Sequence, residues 1–195
     1  LLAATLALAD ARTLIERLAR EPPASIAFTE ARFSPLLREP LIVSGELAYL
    51  GPTSLDRRVT KPYRETTSIR GRTVRVEREG EKPRSFALDR APELERLLMA
   101  FGALLAGDSA ALEKDFAIAA AGDDADWSLE LTPLAERARR RLRALAIFGS
   151  GTEPRCFVTF ETQQGGSVLV LGAEAGQAVA PAASFDDLSS RCRAR

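Results

Sequence analysis

From Leu41 to Asp89 the chain is cut at short intervals by turn chemistry: Gly51-Pro52-Thr53-Ser54, Lys61-Pro62, Arg70-Gly71 and Gly80-Glu81-Lys82-Pro83. Brief extended segments, "LDRRVTKP", "YRETTSI", "TVRVERE" and "RSFALD", stand between the cuts. Spacing of that kind reads as an antiparallel meander. In "LIVSGELAYL", Leu41, Val43, Leu47 and Tyr49 share one face while Ser44 and Glu46 share the other, the period of two expected of a sheet with one dry side. Gly45 falls on the dry face, which implies a bulge or a close approach by another group. In the following strands Arg57, Lys61, Arg64, Arg75 and Arg78 read as outward-pointing, so that the sheet is covered on one side only.

The rest of the chain adds helices and further strands. Asp10 is placed to cap a helix carrying Leu14, Ile15 and Leu18 on one face and ending before Pro22-Pro23. "SIAFTEARF", residues 25–33, reads as a strand and "SPLLREP" as the loop after it. The most apolar helical stretch is "PELERLLMAFGALLAGD", residues 92–108. Its Leu94, Leu97, Leu98, Phe101, Leu104 and Leu105 recur at helical spacing, and Gly107 closes it. Asp108 then caps a second helix, "SAALEKDF". "FAIAAAG" and "DWSLELTP" form a hairpin with Trp127, Leu129 and Leu131 on one face. "LAERARRRLRALAIFG" divides into a short helix to about Arg140 and a strand in which Leu142, Ala144, Ala146 and Phe148 alternate. "RCFVTFETQ" and "SVLVLG" make the last hairpin. Residues 173–195, rich in Ala, Gly and Ser, are expected to be a loosely ordered tail.

The expected fold is therefore mainly β (α+β), with about ten strands in an incomplete, strongly curved antiparallel barrel. A sheet of that size, dry on one face, has to curl around itself or around its helices. One domain is expected over residues 10–172. Residues 1–9 are apolar apart from Thr5 and fit either the rear of a secretory signal or a greasy lead-in to the first helix. No other apolar run approaches the ~18 residues that a membrane span requires.

Composition excludes much chemistry. The sequence has no histidine, which removes the commonest general base, the commonest metal ligand and every Ser-His or Cys-His pair. Lys and Arg number 27 and so do Asp and Glu, so no global field favours nucleic acid or an anionic membrane. Cys156 and Cys192 are too far apart for a CxxC motif, and they are left open as free thiols or a pair formed in an oxidising compartment. Asp123, Asp124 and Asp126 lack the spacing of a calcium loop and read as a solvated turn. Ser150 and Gly165-Gly166 make neither a nucleophile elbow nor a phosphate loop. No cofactor, metal or catalytic residue is expected.

The order of "FTE" (Phe28 to Glu30), "GELAYLGPTSLDRRVTKPY", "GRTVRVE", an amphipathic helix pair and "WSLELTP" resembles the periplasmic outer-membrane lipoprotein carrier family, LolA, and its LolA-like paralogues. The likeness runs from about Asp10 to Leu171. It implies an apolar concavity inside the incomplete barrel, covered by helices that part to admit acyl chains. It further implies a monomeric, non-enzymatic carrier in the periplasm of a Gram-negative bacterium. Such a carrier takes an acylated lipoprotein or other lipid from an inner-membrane ABC exporter to an outer-membrane receptor through transient contacts. By position, Leu55 matches a cavity site and Leu94, Leu97, Leu98, Phe101 and Leu105 match a lid helix. Phe28, Leu47, Tyr49, Trp127 and Leu129 complete the expected lipid-binding set. Arg137, Arg140 and Arg141 are either a docking surface for an acidic partner or headgroup or a solvated helix face balanced by Glu136.

Two departures stand out. Gly51 occupies the position where the family carries a lid-latching arginine before the turn proline, and Arg57 stands where the family has an inward aromatic. Two other functions stay open at this point: a lipid-acting hydrolase or transferase with a nucleophile in the cavity, and an envelope protein-binding domain with a filled core.

Overall fold

The computed structural model describes residues 8–90, 100–163, 165–172, 175, 179 and 183–193. The lid positions Leu94, Leu97 and Leu98 lie outside these residues. Helix α1 (Leu8–Arg17) is already formed at Leu8, so Asp10 lies within it rather than capping it. There follow β1 (Ala24–Phe33), β2 (Leu41–Gly51), β3 (Ser54–Lys61), β4 (Glu65–Arg70), β5 (Thr73–Arg78) and β6 (Arg84–Ala87). A helical insert comes next, made of α2 (residues 100–106) and α3 (Ser109–Asp115). The second half holds β7 (Phe116–Gly122), β8 (Trp127–Pro133), α4 (Glu136–Arg139), β9 (Leu142–Ser150), β10 (Glu153–Glu161), β11 (Gly166–Leu171) and α5 (Phe185–Arg193).

Among the described residues, 11 strands form one sheet in the order β6-β5-β4-β3-β2-β1-β11-β10-β9-β8-β7. Every pairing is antiparallel. The sheet is not closed into a barrel. Its first and last strands meet in the middle, and its two edges, β6 and β7, are the strands on either side of the helical insert. A chain that leaves one edge and must begin the opposite one has to cross the full width of the sheet. The insert is that crossing, and α2 and α3 lie on the concave face because the topology leads them there.

Local chemistry fixes the insert. α2 ends with Gly107 N donating to Leu104 O at 3.1 Å and Asp108 N donating to Ala103 O at 2.8 Å, the paired bonds of a Schellman close with glycine at the left-handed position. Asp108 then caps α3, its side chain accepting from Ala111 N at 2.9 Å. α3 is tied to α1 by Arg12 Nε donating to Glu113 Oε1 at 2.6 Å. Ile15 of α1, Leu18 just beyond it, Leu104 of α2 and Leu112 of α3 are fully buried with Phe28, Leu129, Leu131, Leu145 and Ile147 of the sheet. This is the main core.

The expectation of a single dry face holds for the meander and fails for the centre of the sheet. β9, β10 and β11 are buried on both faces, as near-continuous apolar runs such as "RALAIF" permit. On the convex side Ala31, Ala146, Phe148, Val158, Val168 and Val170 pack against Leu188 and Cys192 of α5. A disulfide joins Cys156 of β10 to Cys192, with Cα atoms 5.8 Å apart, inside the range such a bond requires. Over residues 185–193 the expectation of a loose tail thus gives way to a helix pinned to the sheet.

In β9, Leu142 points into the main core while Ala146 and Phe148 face the other side. The alternation read across all four positions is broken by a bulge, where the register with β10 shifts between Phe160 and Glu161. A second shift at Ser44/Gly45 bears out the bulge expected there: a Cβ at Gly45 would collide with the Arg58 carbonyl. On the outer face of the meander Arg70 holds Asp56 through both nitrogens, at 2.7 and 3.0 Å.

Candidate functional site

Between the curled sheet and α2 lies a cavity of about 710 Å³, within the range of pockets that hold small ligands. Its walls follow from strand register. Tyr49, Leu55, Ile69 and Val74 are consecutive cross-strand partners from β2 to β5 and form an apolar row at one end. The next row contains Leu47, Arg57, Thr67 and Val76. Phe157 and Leu169 contribute from the centre of the sheet, and Phe101 and Leu105 of α2 form the roof. The Phe101 ring lies 4.6 Å from that of Phe157, centroid to centroid. At the opposite end of the strands, Arg32, Thr159 and Ser167 line the opening with Leu37 of the β1–β2 loop. Leu36, beside it, is 94% exposed.

The cavity is apolar at depth and charged toward its mouth. Glu30, only 5% exposed, accepts from Arg57 Nη2 at 2.6 Å and from Arg32 Nε at 3.1 Å. The Arg57 guanidinium lies 4.9 Å from the Phe28 ring centroid, a cation–π distance. Arg57, expected to point outward, therefore points in. It shares a face with Leu55 and Val59, as period two demands, and the charge tolerates the position because Glu30 supplies its partner. Tyr49 is buried, and that burial pushes its phenol above the ordinary value, so the group stays neutral.

Of the expected lipid-binding residues, the structure brings together Leu47, Tyr49, Leu55, Phe101 and Leu105 on the cavity wall. Phe28, Trp127 and Leu129 are placed in the packed core instead. Trp127 stacks against Gly149 and donates from Nε1 to Gly151 O at 3.0 Å, which anchors a turn. An inward strand position is shared by wall and core alike, so alternation does not separate them. Leu41, Ile69, Val74, Val76, Phe157 and Leu169 also line the wall without having been expected there, although each lies on the dry face of a legible strand. Arg137, Arg140 and Arg141 are exposed around α4, with Arg140 paired to Glu136 at 3.1 Å. α4 sits at the mouth end of the sheet, where Thr162 donates to the Arg140 carbonyl at 2.6 Å.

The contact between α2 and the β2–β3 turn is made by backbone. Gly51 has φ of +138°, a conformation that disfavours side chains. The turn it begins reaches α2 directly, since a Cβ on Gly102 would stand 2.6 Å from the Pro52 carbonyl oxygen. The other end of α2 is held where Arg20 N donates to Leu105 O at 2.7 Å.

A single antiparallel sheet curled around an apolar space and roofed by the helices that connect its edges defines a class of open, ligand-enclosing half-barrels. The family model for outer membrane lipoprotein carrier protein LolA-like matches residues 3–194, and the chain belongs to that family. Among solved structures it is similar to the LolA superfamily protein NE2245 from Nitrosomonas europaea, at 13% identity and a TM-score of 0.43, over 86% of this chain and 92% of that one. It is also similar to LprF from Mycobacterium bovis, at 10% identity and a TM-score of 0.39, over 87% and 94%. No curated protein sequence gives a significant match. Among the described residues no helix is long and apolar enough to cross a membrane.

Proposed function

We propose that this protein is a non-enzymatic periplasmic carrier that takes acyl chains of a lipoprotein or lipid into the cavity beneath α2 and shuttles them from the inner to the outer membrane. The observation that carries the reading is the 710 Å³ space itself, walled at depth by Leu47, Tyr49, Leu55, Ile69, Phe101 and Leu105. Transfer of an acyl chain from water into such a space is worth about 0.8 kcal/mol per methylene, which is enough to hold a lipid tail without any polar chemistry. The disulfide supports an oxidising compartment, and family membership supports the carrier role. Cargo enters by displacement of α2 from the Pro52 turn. The basic surface of Arg137, Arg140 and Arg141, at the mouth end, docks an acidic face of the exporter or receptor.

Native mass spectrometry of the protein isolated from its own envelope tests this. The expected spectrum shows a non-covalent adduct that fragments to an acylated species. A bare polypeptide mass, together with no uptake of added long-chain amphiphile, refutes it, and a covalently acylated side chain points instead to a lipid-acting transferase.

A further inference from the structure

The cavity's charged mouth says something about the head of the cargo, given the carrier reading on which this inference rests. Glu30 is buried with both carboxylate oxygens engaged, one by Arg32 and one by Arg57. A cation has nothing to bind there. Within this cluster the two arginines exceed the one carboxylate by a single positive charge. Of the Arg57 nitrogens only Nη2 has a hydrogen-bond partner among the described residues, and its side chain is 23% exposed on the cavity wall. Nη1 and the second Nη2 hydrogen are left to donate to an anionic oxygen.

Two further carboxylates, Glu65 and Glu161, line the space, and neither is paired with Arg32 or Arg57 among the described residues. Glu65 lies 3.8 Å from Arg78, which also meets Glu81 at 3.5 Å. Glu161 lies exposed at the end of β10, where water and salt screen it as they screen the 59% exposed Arg32, so the half-enclosed Arg57 carries most of the attraction. The polar side chains of the wall stand toward the mouth, beside Leu37 and Leu41. Register places Arg32, Thr159 and Ser167 at the mouth, Arg57 between, and the Tyr49–Leu55–Ile69–Val74 row at the far end. A wholly uncharged acyl cargo gains nothing from two arginines beside its path. An amphiphile with an anionic head fits with its tail under α2 and its head at the mouth.

The geometry points to a cargo that carries a single anionic head, a carboxylate or a phosphate monoester, held by Arg57 and Arg32 while its acyl chain fills the apolar end. Glu30 holds the two guanidinium groups in place and competes with the head for them, so it acts as a positioning residue.

The test measures displacement of the neutral fluorophore N-phenyl-1-naphthylamine by palmitate, hexadecyl phosphate and 1-hexadecanol, below their aggregation thresholds. The intact chain is expected to prefer one or both anions over the alcohol by at least about ten-fold. Whichever anion is tighter identifies the headgroup. Glu30→Gln, which removes the competitor, raises that ratio. Glu30→Gln combined with Arg57→Met, which leaves no buried carboxylate unpaired, brings it down toward the order of unity. Equal displacement by anions and alcohol, or a ratio unmoved by both variants, overturns the anionic head while the carrier reading stands. Failure of all three amphiphiles to displace the probe overturns the carrier reading and this inference with it.

Discussion

Replacing Leu47 and Leu55 together by tryptophan separates an empty cavity from a filled core. Both residues are half-buried and line the space on adjacent strands. Each exchange adds about six heavy atoms, and inserting that much into a close-packed core costs about 1–3 kcal/mol per site. Here the indoles have 710 Å³ to enter, and burial of aromatic surface offsets strain. The double variant is therefore expected to keep its urea midpoint to within about 1 kcal/mol of unfolding free energy. Acyl binding behaves differently. If the two rings exclude only four methylenes of the tail, the loss is about 3 kcal/mol at about 0.8 per methylene, or more than about a hundred-fold in Kd. Urea denaturation and palmitate displacement of a neutral fluorophore measure the two quantities on the same preparation. A variant destabilised by several kcal/mol, with palmitate affinity unchanged, would mean that the space is packed core and not a binding cavity.

Three further outcomes follow from particular contacts. Gly102→Ala gains about 1 kcal/mol of helix propensity at an unconstrained position, but here the new methyl meets the Pro52 carbonyl. No gain in urea midpoint and faster amide exchange in α2 are expected; a gain of the full propensity difference contradicts a lid seated on that turn. Cys192→Ser opens a loop of 36 residues, worth about 4 kcal/mol on the loop-closure formula, so a thermal melt should show a large loss that reductant reproduces in the unmodified chain. Finally, the Arg70 hydrogen bond holds the Asp56 carboxyl below its ordinary value. The stabilisation is present above the unfolded value of about 3.9 and is lost as pH falls through the lowered folded value. Asp56→Asn should therefore flatten the acid limb of the stability curve below about pH 4, and an unchanged acid limb counts against the pair.

Much of the meander was legible because its information is local. Turn residues set the ends of β2 to β6, and the alternation of Leu47 and Tyr49 announced the dry face. The helical insert was equally plain from the spacing of Phe101, Leu104 and Leu105 and the Gly107-Asp108 junction. What the sequence concealed was non-local. Nothing in "LDRRVTKP" reveals that Arg57 meets Glu30, a residue on a strand two places away in the sheet, because the pairing depends on β2 lying between them in register. The second covered face was hidden for a similar reason. α5 is only nine residues long, short enough to be marginal alone, and it is held by Cys156 and by the convex side of strands distant from it in the chain. Trp127 shows a further limit: its inward position was readable, but whether the space beside it was filled was not.

Isothermal titration with saturated fatty acids of increasing length measures how much acyl chain the apolar room beneath α2 takes up. Affinity is expected to rise by about 0.8 kcal/mol for each added methylene until the cavity is full and then to level off. Affinity independent of chain length, or no measurable binding at any length, contradicts such uptake.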